Sequence, residues 1–179
     1  KKINPFFLID CEKRVLNVAK QLKLDISTKN INSPNDVKEI FNEHLPVYNL
    51  RRSINSVLGK PNPNFVQDII ESIDLAINFA FKDEILGIVT NPVSKEILMK
   101  KGFKHNGQTE YITEKVNKIY KKKFKEIMIL STSAPEDSGA NLKVGLVTTH
   151  IPIKEVSKEL SKKIILEKIR TFHQSLVNL

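Results

Sequence analysis

The chain has 179 residues, of which 40% are hydrophobic and 27% are charged, and its formal net charge at pH 7 is +9. This length suits one domain with a substantial core, and the composition excludes a disordered chain. No apolar run approaches the roughly 20 residues of a membrane-spanning helix. The first apolar run ends at Asp10, which makes it too short for a signal peptide.

Charge and cysteine content narrow the functional classes. A basic surface attracts phosphates, either in nucleic acid or in small substrates. Lysine far outnumbers arginine here, and arginine is the residue preferred for reading bases. The run Lys121–Lys123 has only Tyr120 and Phe124 beside it, too little aromatic surface for stacking bases. The single cysteine, Cys11, excludes an intrachain disulfide and a cysteine-based zinc site, and it favours the cytoplasm.

The first predicted elements are a strand and a helix. The continuous apolar run Pro5–Ile9 predicts a buried strand, as in a parallel sheet. Residues 11–23 carry apolar side chains at helical spacing and predict a helix. Residues 25–36 are rich in Asn, Ser, Asp and Pro, and they predict a loop.

A long helix, a strand and a short helix follow. The pattern over 62–81 predicts a helix that is capped by Asn62 and has proline at its first position. The apolar run Ile85–Thr90 predicts a second buried strand. Asn91-Pro92 predicts the start of another helix, and Gly102 predicts its end.

The last third of the chain predicts helices on either side of a strand pair. A helix is expected over 109–120, and strands are expected over 126–131 and 143–149. Because the connection 133–141 is too short to hold a helix, these two strands are expected to pair antiparallel. Helical patterns then continue from Ile151-Pro152 to Leu176.

The alternation of strands and helices predicts an α/β fold with a largely parallel sheet flanked by helices. The chain begins directly at a strand and finishes inside a helical pattern. We therefore expect residues 1–179 to be a single α/β segment of a larger protein, incomplete at both ends. Ligands of such sheets bind outside the carboxyl ends of the strands, so the residues after each strand are the first candidates for a site.

The segment Val89–Lys95 is the first candidate site. A helix that starts here offers free N–H groups to an anion, although Pro92 removes one donor. Asn91 is equally suited to cap the helix, and Lys95 to be a solvated surface lysine. Residue types alone favour this second, structural interpretation.

His150 is the second candidate, because it directly follows the predicted strand 143–149. Imidazole suits zinc and similar divalent ions. A metal site needs three ligands, however, and His44, His105 and His173 show no helpful spacing with His150. A lone histidine is more often structural or merely exposed.

The loop Gly102–Glu110 is the third candidate. Two glycines bracket a polar stretch from which Gln108 or Thr109 enters a helix. Thr109 as a helix cap is the structural interpretation, and a ligand-positioning loop is the functional one. The dipeptide Gly59-Lys60 is not a phosphate-binding P-loop, because the earlier glycine and the trailing Ser or Thr are missing.

Taken in order, these segments resemble one family. Gly87–Lys95, which reads Gly-Ile-Val-Thr-Asn-Pro-Val-Ser-Lys, is similar to its strand-then-helix signature, where Gly-Pro-Val-His-Lys is common. Gly107–Tyr111 (Gly-Gln-Thr-Glu-Tyr) is similar to its Gly-His-Thr-Glu-Phe, and Val144–Ile153 is similar to its strand ending in Thr-Thr-His-Leu-Pro-Leu. Gly59-Lys60-Pro61 lies where the family has a glycine-rich turn before a helix. The family is 4-hydroxythreonine-4-phosphate dehydrogenase of the pyridoxal phosphate pathway.

The resemblance implies an isocitrate- or isopropylmalate-dehydrogenase-like fold, in a two-domain enzyme whose domain boundary lies near residues 85–110. It covers most of this chain but only about the N-terminal half of the family's length. The family's opening Gly-Asp-Pro-Ala-Gly-Ile-Gly-Pro-Glu segment is absent. The part that supplies two further metal histidines and much of the NAD site is also absent.

Residue by residue, the resemblance implies that His150 is one of three metal ligands and that Gln108 and Thr109 contact the substrate. The family usually has histidine at the position of Gln108. Glutamine donates and accepts hydrogen bonds but cannot carry a charge. Glutamine at this position is therefore compatible with substrate binding, but it argues against an acid–base role.

The implied reaction is oxidation of the secondary alcohol of 4-phosphooxy-L-threonine by NAD, followed by decarboxylation of the β-keto acid. A divalent metal (Zn, Co or Mg) would hold the hydroxyl and carboxylate, and NAD would accept the hydride. The resemblance also implies a cytoplasmic homodimer with no nucleic-acid or membrane partner. The alternatives are a non-catalytic α/β module, or a truncated fragment, that binds a phosphorylated small molecule, and, as the weakest hypothesis, a basic nucleic-acid binder.

Overall fold

The computed structural model describes residues 3–50, 57–105, 107–132, 138 and 141–177. The chain divides into two compact units, Lys1–Val116 and Asn117–Leu179. In chain order the described elements are β1 (Leu8–Asp10), α1 (Glu12–Gln21), β2 (Thr28–Ile31), α2 (Val37–Ile40), β3 (Leu45–Asn49), α3 (Val66–Phe81), α4 (Lys95–Lys100), α5 (Gln108–Tyr120), β4 (Ile129–Ser131), β5 (Lys143–Gly145), α6 (Ile153–Glu159) and α7 (Lys162–Val177).

A parallel sheet organises the first unit and confirms the predicted α/β fold. Its strand order is β1-β3-β2, so the central strand is the last of the three in the sequence. Leu8 pairs with Val47, and Thr28 pairs with Leu45, both in parallel register. Val47 is fully buried between its neighbours.

Helix α3 covers this sheet with an apolar face. Ile73, Ala76 and Ile77 are buried along the helix at helical spacing. Phe79, three residues after Ala76, meets Tyr48 of β3 edge to face, with ring centroids 5.1 Å apart. Such edge-to-face pairs add to the stabilisation that comes from burial itself. The core of the first unit therefore lies between α3 and the sheet.

The junction of β1 and α1 is polar on one side and apolar on the other. Cys11, between the two elements, is buried. Asp10 accepts a hydrogen bond from Nε of Arg14 at 2.7 Å, and the two side chains form an ion pair. Burial lowers the pKa of Arg14. Glu12 accepts hydrogen bonds from Thr28 and Asn30, which ties the start of α1 to β2.

The predicted start of the long helix is confirmed, with one difference. The Asn62 side chain accepts a hydrogen bond from the backbone N–H of Asn64 at 2.9 Å, and Pro63 occupies the first helical position. The first turn, Pro63–Phe65, is a 3₁₀ turn, and the α-helix itself begins at Val66.

Three predictions for the first unit are wrong. The predicted loop 25–36 contains β2 and a short 3₁₀ turn that Ser33 caps. The predicted strand Ile85–Thr90 is irregular and pairs with no strand among the described residues, and Leu86 within it is fully exposed. The helix expected at Asn91-Pro92 begins only at Lys95. An apolar run becomes a strand only when a partner strand accepts its hydrogen bonds, and the sequence does not show that partner.

The second unit contains the predicted antiparallel pair. Ile129 of β4 pairs with Gly145 of β5, and the connection 133–141 lies mostly outside the described residues. A Cβ added at Gly145 would lie 3.0 Å from the ring of Phe172, so α7 approaches this strand closely. Lys168 also donates a hydrogen bond from Nζ to the main-chain oxygen of Glu126 at 3.0 Å.

A search of the described helices finds none with both the length and the apolar character needed to cross a membrane.

Candidate functional site

Two of the three candidate segments meet in the first unit. Gln108, the first residue of α5, donates a hydrogen bond from its side-chain Nε2 to the main-chain oxygen of Asn91 at 3.0 Å. The two segments enclose an open cavity of about 390 Å³. The residues that line it come from the segment before α4, from α4, and from the loop into α5: Thr90, Asn91, Pro92, Val93, Lys95, Leu98, Phe103, Gly107, Gln108 and Thr109.

Helix α4 forms one side of the cavity. Its Leu98 side chain is buried and anchors the helix in the first unit. The helix ends where Gly102 adopts a left-handed backbone with φ +85°, as predicted for a glycine at this position. The backbone N–H of Phe103 then bonds to the main-chain oxygen of Leu98 at 3.0 Å. This turn directs Phe103 back toward the cavity that it lines.

The start of α5 forms the other side. Gln108 is half-buried and Thr109 is exposed, and both line the cavity. Gly107 precedes them, and a Cβ at this position would lie 3.0 Å from Oε2 of Glu110. The glycine therefore gives the Glu110 carboxylate room beside the first turn of the helix, where a negative charge is favoured by the helix dipole.

An aromatic cluster that the sequence analysis missed lies behind this side of the cavity. The rings of Phe103, His105 and Tyr111 pack against one another, with centroids 5.1 to 5.2 Å apart. Nδ1 of His105 lies 3.6 Å from a carboxylate oxygen of Glu114. The glycine-bracketed loop is thus held by ring packing, and His105 belongs to that packing.

Asp74 of α3 binds two groups of α5. It accepts hydrogen bonds from the Tyr111 hydroxyl at 2.7 Å and from Nζ of Lys115 at 2.8 Å. Burial, together with the hydrogen bond to Asp74, raises the pKa of Tyr111. The hydrogen bond to Asp74 is also the main reason that the pKa of Lys115 is raised. These contacts fix the first turns of α5, and with them Gln108 and Thr109, against α3.

The cavity combines one cation with neutral polar groups. Lys95 lines it and is exposed, and no ion pair of Lys95 occurs within the described residues. Gln108 and Thr109 add an amide and a hydroxyl on the opposite side. Such a set of groups suits a small molecule with an anionic group at one end and hydroxyl groups along its length.

His150 lies in the second unit, and its placement leaves its predicted role open. Its side chain is exposed, and its backbone has φ +59°, a left-handed conformation that is uncommon for residues other than glycine. Strained backbone of this kind concentrates at functional sites, although five other non-glycine residues of the described chain share it.

The donor set around His150 does not by itself fit a divalent metal. Catalytic zinc sites take three protein ligands. Over the described ranges, no group of three or more His, Cys, Asp or Glu side chains is placed to hold a metal ion. A complete set of three ligands for a divalent metal is therefore not found among the described residues.

Comparisons with known proteins agree on one family. A family model described as "Pyridoxal phosphate biosynthetic protein PdxA" matches residues 2–179. Among curated relatives, the chain is 27% identical over 177 residues to a protein named 4-hydroxythreonine-4-phosphate dehydrogenase from Sulfurihydrogenibium sp., covering 97% of this chain and 49% of the relative. It is 32% identical over 118 residues to a protein of the same name from Bacteroides thetaiotaomicron, covering 66% of this chain and 29% of that protein.

A solved structure supports the fold. A crystal structure of a 4-hydroxythreonine-4-phosphate dehydrogenase from Burkholderia phymatum superposes with a TM-score of 0.77 and is 20% identical. The match covers 96% of this chain and 48% of that one. The chain thus spans about half the length of the curated relatives that it matches over nearly its whole length.

Proposed function

Because the chain belongs to the family of the pyridoxal phosphate biosynthetic protein PdxA, we propose that it carries the substrate-binding part of a 4-hydroxythreonine-4-phosphate dehydrogenase. The proposed reaction is oxidation and decarboxylation of 4-phosphooxy-L-threonine in vitamin B6 biosynthesis, with NAD as hydride acceptor and a divalent metal. His150 would supply one metal ligand. The homodimer and the cytoplasmic location also stay predictions.

One observation carries the proposal. The cavity is lined by the two motif segments that carry the family resemblance in the first unit, and the Gln108–Asn91 hydrogen bond joins them. A site assembled from separate motif segments of one family is better evidence of function than any single motif.

The residues of this chain would bind and orient the substrate. The Lys95 ammonium attracts the phosphate or the carboxylate of 4-phosphooxy-L-threonine. Thr109 can donate to one ligand oxygen and accept from another, because a hydroxyl does both. Leu98 and Phe103 provide the apolar floor that excludes water from part of the cavity. Together these groups fix the direction in which the substrate lies.

Isothermal titration of 4-phosphooxy-L-threonine into the 179-residue chain tests the proposal. We expect binding, and we expect Lys95→Ala to weaken it by about tenfold, the size of one charge-assisted hydrogen bond of about 1.5 kcal/mol. Lys29→Ala, which removes an exposed lysine from β2, is the matched control and should leave the affinity unchanged. Equal affinity in all three proteins would show that the cavity is not the site.

The absorbance of NADH distinguishes the dehydrogenase from a binding module. The chain is mixed with NAD, 4-phosphooxy-L-threonine and a divalent metal, and the reaction is repeated with EDTA. Because no group of three or more candidate metal ligands forms among the described residues, we expect binding without NADH formation by this chain. NADH formation that EDTA abolishes would assign the whole reaction to the 179 residues, and His150→Ala should then abolish it.

A further inference from the structure

The segment 85–93, which forms one wall of the cavity through its Thr90–Val93 portion, has almost no hydrogen bonds of its own. It contains no helix or strand, and the described residues place Leu86 and Val89 almost entirely in solvent. Neither a backbone N–H nor a carbonyl of the segment takes part in a described backbone hydrogen bond. An apolar, irregular segment without such bonds is expected to move on the nanosecond scale.

One contact opposes that motion. The hydrogen bond from Nε2 of Gln108 to the main-chain oxygen of Asn91 is the one described bond that joins the segment to the rest of the first unit. The donor, Gln108, lies on a helix whose position is fixed, because the hydrogen bond between Tyr111 and Asp74 holds α5 to α3. The bond therefore connects helix α5, which Asp74 holds, to a wall that has no other hydrogen bond among the described residues.

The bond also fixes the orientation of the Gln108 amide. The reverse orientation would place its oxygen against the carbonyl oxygen of Asn91, and two acceptors repel. Because Nε2 already donates to Asn91, the Gln108 amide binds the protein itself before it binds a ligand. Since the amide is neutral, this connection does not change with pH.

We propose that Gln108 is a positioning residue, which holds the wall 85–93 in place so that Lys95 and Thr109 face the same ligand. This inference rests on the proposed function of the cavity and deepens it. It also changes the role that the family resemblance implies for Gln108, from direct substrate contact to holding the opposite wall. Direct contact with the ligand is left to Lys95 and Thr109.

NMR order parameters of the backbone amides in residues 85–93 test the connection without any ligand. We expect higher values around Asn91 in the wild-type chain than in Gln108→Ala, because the variant lacks the hydrogen bond that joins Asn91 to α5. Gln108→Glu has the same shape but an ionised carboxylate cannot donate, so it should loosen the wall equally. Gln108→His keeps an N–H donor and should retain the order.

Asn78→Ala is the matched control, because it removes an exposed amide side chain from α3 that does not line the cavity. Chemical shifts outside residues 85–93 check that each variant stays folded. Unchanged order parameters in both Gln108→Ala and Gln108→Glu would overturn the proposal. So would loss of order in Gln108→His equal to that in Gln108→Ala.

Titration with 4-phosphooxy-L-threonine separates this inference from the proposed function. In a wild-type chain that binds the ligand, Gln108→Ala should weaken binding about two- to tenfold, the range that a hydrogen bond of ordinary strength allows. Unchanged affinity in a loosened variant would overturn the positioning role. Absence of binding in the wild-type chain would refute the proposed function, and the order parameters would still decide whether Gln108 holds the wall.

Discussion

The two units of the chain differ most in what they do with their apolar side chains. In the first unit, side chains of the sheet, α1, α3, α4 and α5 are buried, from Cys11 to Tyr111. In the second unit, the described residues include no fully buried side chain. Thirteen large hydrophobic side chains among its described residues are instead exposed, including Leu130, Leu142 and Ile169. The second unit is also the shorter of the two.

This difference indicates where the stability of the chain lies. Burial of apolar surface is the main favourable term in folding, at roughly 25 cal/mol per Å². The first unit therefore has a core of its own, whereas the described residues of the second unit bury little apolar surface. The candidate cavity lies entirely in the first unit. The described part of the site therefore belongs to the unit that has the buried core.

The largest expected difference between the two units is in the cost of truncating an isoleucine to alanine. Ile77 of α3 is 3% exposed, and Ile169 of α7 is 55% exposed. Ile77→Ala should lower the free energy of unfolding by about 2–5 kcal/mol, because it removes buried methyl groups and leaves a cavity. Ile169→Ala should change it by less than about 0.5 kcal/mol. Urea unfolding followed by circular dichroism measures both, and equal losses would break the comparison.

A smaller effect is expected at the Asp74 contacts, which lie within the first unit. Asp74→Ala leaves the buried Tyr111 hydroxyl without its acceptor, and it should cost about 1–3 kcal/mol of stability. Tyr111→Phe removes the hydroxyl and keeps the ring packing, so its cost should be only about 0.5–1.5 kcal/mol. In the Tyr111→Phe background, Asp74→Ala should cost less than it does alone. Additive losses in urea unfolding would show that the two groups do not act together.

The smallest expected effect is a loss of stability at alkaline pH. The folded chain raises the pKa of Tyr111 and of Lys115 above their ordinary values of 10.0 and 10.5. A raised pKa in the folded state contributes stability that is complete below the ordinary value and is lost as pH rises through the raised one. Unfolding free energy should therefore fall as pH rises past these ordinary values.

Because other tyrosines and lysines titrate in the same range, the decisive quantity is a difference between proteins. Asp74→Asn keeps the shape of the side chain but removes its charge, so its free energy of unfolding should fall less steeply with alkaline pH than that of the wild-type chain. Parallel curves would show that these contacts do not raise the two pKa values.

The sequence predicts local structure well where the signal is local. The cap at Asn62, the glycine end of α4 and the helix α5 all follow from neighbouring residues, and the structure confirms each one. The central strand β3 is absent from the sequence predictions, and its Pro46 argues against an inner strand because proline cannot donate a ladder hydrogen bond. Its assignment depends on partners far away in the chain, β1 and β2.

The same limit applies to the site. Residue types and family resemblance point to the segments of Asn91 and Gln108, but nothing in the sequence shows that one side chain binds the main chain of the other. The partnership of Asp74 with Tyr111 spans 37 positions and has no sequence signal. The spacing of the four histidines likewise says nothing about which ligands would join His150.

The buried Cys11 offers a way to measure how often the first unit opens. It is the one thiol in the sequence, and it lies where the first strand passes into the first helix, 4% exposed. A thiol reagent can reach it only when that junction opens, so the labelling rate reports the opening of the parallel sheet and not the surface of the protein. The labelling rate of Cys11 therefore measures the stability of the unit that contains the cavity, and no engineered label is needed.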